Sequence, residues 1–302
     1  MVESSFFDYG VDLVSNILRA EFVDSGNQRV EFEMAGRRLQ IGRVQNRADQ
    51  FPTSLESSGV KVMSWNVENG KDPRFLAAIE REDPDILLLQ ETRPEDVRGI
   101  VDDMNMDGVY ASTHLVHSSS ESSPFESGNA VLARSSIYNP RGVWLPNFSN
   151  QETKQGGGPG QCNTLLCNVN LGDVPVTVVS AHLEDKCSGG DRAAQLKKIL
   201  GAVGDDREVI IGGDFNFMLG FAYSPFYGSF TEPGEKLMER NGFVDAHKGQ
   251  KGTANLDGRV GKFLSGLIRL DRIYTRGLDT GEAQVFDYKC SDHKPTSLVV
   301  GR

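Results

Sequence analysis

From Lys61 onward, short apolar runs alternate with amphipathic stretches. KVMSWNV (61–67), DILLLQE (85–91), GNAVLAR (128–134), TLLCNVNL (164–171), VPVTVVSAHL (174–183) and EVIIGGDFN (208–216) are apolar segments of strand length bounded by turn residues. LIRLDRIYTRG (267–277) and TSLVVGR (296–302) read the same way. Between them lie four helical patterns. Arg74–Glu82 follows Asp72-Pro73, and Pro94–Met104 opens with Pro and two acids. Asp191–Val203 starts at a capping Asp, and Pro233–Asn241 is closed by Gly242. Several strands are apolar on both faces, and some follow one another through turns as short as NLGDVP (170–175). That mixture predicts an α/β fold of two packed mixed sheets with helices outside, not one parallel sheet.

Residues 1–59 break the rhythm. Val11–Phe22 carries apolar residues at helical spacing, Arg29–Val44 alternates around Ala35-Gly36 as a hairpin would, and 46–59 is polar and turn-rich like a linker. The chain therefore divides into an N-terminal extension, 1–59, packed on a main domain, 60–302.

Composition narrows the function. The 302 residues carry a formal charge of -10, which excludes coating nucleic acid by bulk positive charge but allows a local basic groove or a metal-filled acidic site. No apolar run reaches membrane-helix length, and the acidic N-terminus lacks a signal-peptide pattern. An intracellular protein of undetermined compartment is expected, with no membrane partner and with its four cysteines reduced.

Candidate chemistry recurs at one kind of place. A buried strand ends, and a residue suited to metal or phosphate chemistry follows: Asn66, Glu91, His182, then Asp214 with Asn216. Asp271 comes from the LIRLDRIYT strand, and Asp292-His293 follow Cys290-Ser291. Strand ends on one sheet edge converge on one cleft. Each residue alone has a structural explanation, such as a turn Asn, a core His or a salt-bridged Asp. Together, in a chain with five histidines, they point to a site.

SWNVENG, LLLQET, SAHLE, GGDFN, LDRIY and SDHKP, in that order, resemble the endonuclease/exonuclease/phosphatase superfamily of DNase-I-like enzymes, over about residues 61–302. The resemblance implies a four-layer α/β sandwich and a Mg²⁺-dependent phosphodiesterase, with Mn²⁺ as the other candidate ion. It implies Glu91, Asn66 and Asp292 as metal ligands. Asp214 would orient or deprotonate the attacking water, and Asn216 would donate to a non-bridging oxygen. His293, held by Asp271, would contact the phosphate, and His182 the phosphate or leaving group. HLEDKCSGGDRAAQLKKIL further resembles the 5′-tyrosyl-DNA phosphodiesterase branch. The chain departs from that branch at Phe215, His247 and Ala254-Asn255-Leu256-Asp257. Arg192, Phe215 and Lys262 are the candidate substrate contacts. Lys197, Lys198, Lys248, Lys251, Arg259 and Arg269 extend a candidate basic path. The implied substrate is nucleic acid or a protein–nucleic-acid adduct. Competing readings are a nuclease without tyrosyl preference, a hydrolase of a small phosphate ester or phospholipid headgroup, and a non-enzymatic module.

Overall fold

The computed structural model describes residues 29–34, 37–44, 51–116, 123–148, 163–217, 232–255 and 267–302. The helix expected over Val11–Phe22, together with Arg259 and Lys262, lies outside the described residues. In chain order the elements are β1 (Arg29–Met34), β2 (Arg37–Val44), β3 (Val60–Asn66), α1 (Arg74–Glu82), β4 (Ile86–Thr92), α2 (Pro94–Met104), β5 (Asp107–Val116), β6 (Phe125–Ala133), β7 (Tyr138–Trp144), β8 (Asn163–Leu171), β9 (Val174–His182), α3 (Gly189–Val203), β10 (Val209–Asp214), α4 (Pro233–Arg240), β11 (Val244–Asp245), β12 (Asp271–Arg276), β13 (Asp279–Val285) and β14 (Thr296–Gly301).

Two mixed sheets form, ordered β1-β2-β5-β6-β4-β3-β14-β13 and β11-β12-β10-β9-β8-β7. Three apolar layers hold them. Val62, Leu88, Val131, Leu165, Val178, Ile210, Ile273 and Leu298 fill the space between the sheets. Met63, Trp65, Leu87 and Leu89 face α1 and α2 on one outer side, with Phe75, Ile79, Val97 and Val101. Val179, Ile211, Phe215 and Tyr274 face α3 and α4 on the other, with Leu196, Ile199 and Met238. This is the α/β/β/α sandwich of a DNase-I-like fold. Each buried Leu, Ile or Val in these layers contributes about 1.5–3 kcal/mol.

The hairpin expected over Arg29–Val44 forms, with Arg29 opposite Gly42. It extends the first sheet, because β2 pairs with β5 and places Ile41 in the inter-sheet layer. The described part of the expected linker is fastened down. Leu55 N donates to Asn170 O at 2.8 Å, Gly172 N donates to Leu55 O at 2.9 Å, and Arg302 N donates to Ser57 O at 2.9 Å. Asp191 does not cap α3. Ser188 does, and Asp191 closes a capping box with it from the third helical position.

The pair Gly212-Gly213 lets β10 carry Asp214 into the cleft. A Cβ on Gly212 would press into Leu88 of the facing sheet, and one on Gly213, at φ +154, would collide with the carbonyl of Ala181. Gly213→Ala is therefore expected to cost more than the ~1–3 kcal/mol of ordinary overpacking. Thermal unfolding of the purified variant checks this, and an unchanged Tm would contradict the close approach.

Candidate active site

Strand alternation carries the inter-sheet face to the open end of the sandwich. Val62, Ser64 and Asn66 share that face on β3, as do Val178, Ser180 and His182 on β9. Ile210, Gly212 and Asp214 share it on β10, and Ile273 and Asp271 on β12. The apolar layer therefore ends in a polar one. Gln90 Nε2 donates to Ser180 Oγ across the sheets at 3.0 Å, and Ser180 Oγ donates to Leu89 O at 2.9 Å.

Glu91 does not follow the alternation of β4. Leu89 pairs with Ala130 and Thr92 with Gly128, so Gln90 and Glu91 together oppose Asn129. Glu91 sits in this bulge at φ +47, a conformation that costs a non-Gly residue of order 1–3 kcal/mol and is found at functional sites. The bulge turns its carboxylate into the cleft. There Oε1 accepts from Asn66 Nδ2 at 3.1 Å and Oε2 accepts from Asn69 Nδ2 at 3.0 Å.

Asp214 Oδ2 is the hub. It lies 3.1 Å from Asn66 Nδ2, 3.6 Å from His182 Nε2 and 3.5 Å from His293 Nε2. Its other oxygen accepts from Asn216 N at 3.0 Å. Asn216, at φ +50, gives one amide hydrogen to Leu183 O at 2.9 Å. Its second amide hydrogen is uncommitted among the described residues. His182 Nε2 is also 3.9 Å from Glu91 Oε1. His293 Nδ1 lies 2.9 and 3.1 Å from the two oxygens of fully buried Asp271.

Burial pushes Asp271 up, against the opposing pull of His293. Burial would also lower His293, but the charges of Asp271 and Asp214, the hydrogen bond to Asp271 and the charge of Asp292 outweigh it, and the imidazole is raised well above 6.5. The pair behaves as one buried unit that keeps its shared proton. The unfolded chain loses that proton near the ordinary histidine value. The stability it contributes is thus fully present below about pH 6.5 and is lost as pH rises through the folded value. Denaturant unfolding between about pH 6 and 9 should show wild-type stability falling relative to His293→Gln. Parallel curves would contradict the linkage.

Asp214, Asp271 and His293 offer ligand atoms within 4.8 Å of one another. With Nδ1 committed to Asp271, however, the three read as an acid–base chain oriented by hydrogen bonds. The hard-cation position expected from the sequence is instead Glu91, Asn66 and Asp292. Asp292, exposed on its outer side, is pushed up by the protein packed against it and by the charges of Glu68 and Asp214. Crowded carboxylate oxygens with an excess of negative charge suit Mg²⁺ or a similar hard ion.

Thr253 and Asn255 escaped the sequence reading. Thr253 Oγ1 accepts from Leu270 N at 2.9 Å and Asp271 N at 3.0 Å. Asn255 Nδ2 donates to Tyr288 O at 2.7 Å and Ser291 O at 3.0 Å, and its backbone N donates to Asp292 O at 2.6 Å. Trp65 Nε1 donates to His293 O at 3.0 Å, and Ser291 Oγ donates to Asn66 O at 2.7 Å. These bonds hold the Ser291-Asp292-His293 turn against β3 and β12. The one signal was that 254–257 departs from the tyrosyl-DNA phosphodiesterase pattern.

Two expected substrate contacts lie in the interior. Phe215 is fully buried in the layer under α3 and α4, its ring 5.4 Å from Phe217 and 5.1 Å from Tyr274, because it falls on the opposite side from Asp214. Arg192 is buried too. Its Nη2 meets Glu232 at 3.4 Å and its Nη1 donates to Cys187 O at 2.9 Å. Arg269 pairs with Asp245 at 2.6 Å and Lys248 with Glu239 at 3.1 Å. His247 is a core residue whose Nε2 lies 2.9 Å from Ser297 O.

Residues 63–293 match the Endonuclease/Exonuclease/phosphatase family. The chain belongs to this family. No curated protein matches it by sequence. Among solved structures, an endonuclease/exonuclease/phosphatase from Beutenbergia cavernae is 19% identical at a TM-score of 0.62, covering 80% of this chain and 71% of that one. The catalytic domain of human Nocturnin with bound sulfate is 18% identical, TM-score 0.58, over 84% of this chain and 99% of that one. A humanized D. rerio TDP2 is 16% identical, TM-score 0.51, over 80% and 99%. These likenesses bear on the fold. The family makes the chain a hydrolase of phosphate esters. No described helix is long and apolar enough to cross a membrane.

Proposed function

We propose that the protein is a divalent-metal-dependent phosphodiesterase that hydrolyses a phosphodiester in nucleic acid or in a protein–nucleic-acid adduct. The observation that carries this reading is the placement of Asp214 Oδ2 among Asn66, His182 and His293, beside Glu91. A carboxylate so placed can accept the proton of an attacking water, which the two imidazoles and the Asn66 amide flank. His293, kept protonated by Asp271, donates to a phosphoryl oxygen as charge builds there. His182 and the second amide N–H of Asn216, uncommitted among the described residues, are further donors for phosphoryl or leaving-group oxygens. Glu91, Asn66 and Asp292 would hold the ion, which when bound neutralises charge on the phosphoryl group. The P–O bond to the leaving group breaks as the water oxygen bonds to phosphorus, and no covalent enzyme intermediate is required.

A second reading, hydrolysis of a small phosphate ester, draws support from the basic candidates. Arg192 and Arg269 are spent on internal ion pairs, and Phe215 and Phe217 are buried, which leaves fewer surfaces for phosphates and bases. End-labelled oligonucleotides bearing a 5′-phosphotyrosyl group or a free 5′-phosphate, and a matched RNA, decide the matter with Mg²⁺ or EDTA. Mg²⁺-dependent tyrosine release alone supports the adduct. Strand degradation supports a nuclease. An intact panel moves the substrate to small esters.

A further inference from the structure

His114 stands beside the catalytic cluster and none of the chemistry above uses it. Its position comes from a second bulge. Ser112 pairs with Gly128 and His114 with Ser127, so Thr113 is the extra residue on β5. Before the bulge, Val109 and Ala111 face the inter-sheet layer. After it, His114 takes over that face opposite Ser127, where simple alternation would have put Thr113. Through β6 it lies at the same end of the sheet as the Glu91 bulge, which opposes Asn129 two residues along from Ser127.

Its tautomer follows from a hydrogen-bond chain. Thr113 has one hydroxyl hydrogen, and it goes to Ser127 O at 2.7 Å. Thr113 Oγ1, 2.9 Å from His114 Nδ1, must therefore accept from that nitrogen. The ring is Nδ1–H, and Nε2 keeps its lone pair. Nε2 has no hydrogen-bond partner among the described residues. Burial, then the charge of His182, hold the imidazole below its ordinary value, which keeps that lone pair free at neutral pH. Beneath it, Ser127 Oγ and Asn129 Oδ1 on the same face of β6 are buried without partners among the described residues, so the floor here is polar.

An acceptor that the described residues leave unpaired, at the edge of a phosphodiester site, suits a donor on the substrate. Resting on the nucleic-acid reading, we propose that His114 is a specificity-determining residue whose Nε2 accepts a hydrogen bond from the 2′-hydroxyl of the sugar next to the scissile phosphate, which favours ribose over deoxyribose substrates. A site built around such a bond leaves its acceptor unpaired when the hydroxyl is missing.

The test compares 5-methyluridine 5′-(p-nitrophenyl phosphate) with thymidine 5′-(p-nitrophenyl phosphate), which differ only in that hydroxyl, on the full chain with Mg²⁺. The wild type should prefer the ribose ester by about tenfold in kcat/KM, the worth of one good hydrogen bond. His114→Leu should bring the ratio close to one, and Thr113→Val, which removes the partner of Nδ1, should lower it. Both esters are measured on the same sample, so the ratio is unaffected by partial misfolding. Equal wild-type values, or a ratio that His114→Leu leaves unchanged, would overturn the inference while the nucleic-acid reading stands. Hydrolysis of bis(p-nitrophenyl) phosphate but of neither nucleotide ester would overturn the nucleic-acid reading, and the inference with it.

Discussion

Asp214→Asn should lower kcat by about 10³-fold, within the range for loss of a positioned general base. The variant keeps the shape of the side chain. Oδ1 can still accept from Asn216 N, as it does at 3.0 Å, and β10 still pairs with β9 and β12. What disappears is the acceptor at Oδ2, where the Asn66 amide and the two histidines converge. Because the uncharged amide no longer attracts His293, the imidazole should also lose part of its proton affinity. Steady-state kinetics with a Tm measured alongside separate the two effects. A loss below about tenfold with an unchanged Tm would remove Asp214 from the proton-transfer role.

Glu91→Gln should cost about as much, roughly 10²–10³-fold or more in kcat/KM, a loss of several kcal/mol of charge stabilisation. It should also show an inverse stability effect. Glu91 occupies a left-handed conformation in a bulge and lies beside Asp214 across the Asn66 amide. Glu91 faces the negative charge of Asp214, which His293 only partly offsets, so the neutral variant should melt no lower than the wild type in EDTA. Mg²⁺ should then raise the wild-type Tm in proportion to its binding and leave that of the variant almost unmoved. A wild type whose Tm ignores Mg²⁺, or a variant that gains as much from it, would detach Glu91 from the ion.

The candidate cluster was legible because its residues sit where strand alternation ends. Asn66, His182 and Asp214 continue the rows begun by Val62, Val178 and Ile210. α1 and α2 were legible to the residue, since each has a Pro at or just before its start and a one-sided apolar pattern. β5, β7 and β13 were missed. β7 carries Pro140 and three exposed positions, β13 is a polar edge strand, and β5 has a bulge that breaks its alternation. The same cause hid the routes by which Glu91 and His114 reach the cleft. A bulge is a property of two paired strands, and one strand's sequence does not display it. The burial of Phe215 and Arg192 was hidden for a related reason. Proximity in sequence to Asp214 or to the HLE block does not decide the face: Phe215 points into the layer behind the sheet, and Arg192 is buried against Glu232.

The most direct measurement is hydrolysis of bis(p-nitrophenyl) phosphate by the full chain, in Mg²⁺ and in EDTA, with Asp214→Asn and Glu91→Gln alongside. Turnover that requires the ion and collapses in both variants is the result expected of a metal-dependent phosphodiesterase centred on Asp214. Turnover that survives EDTA, or that either variant retains, would contradict it.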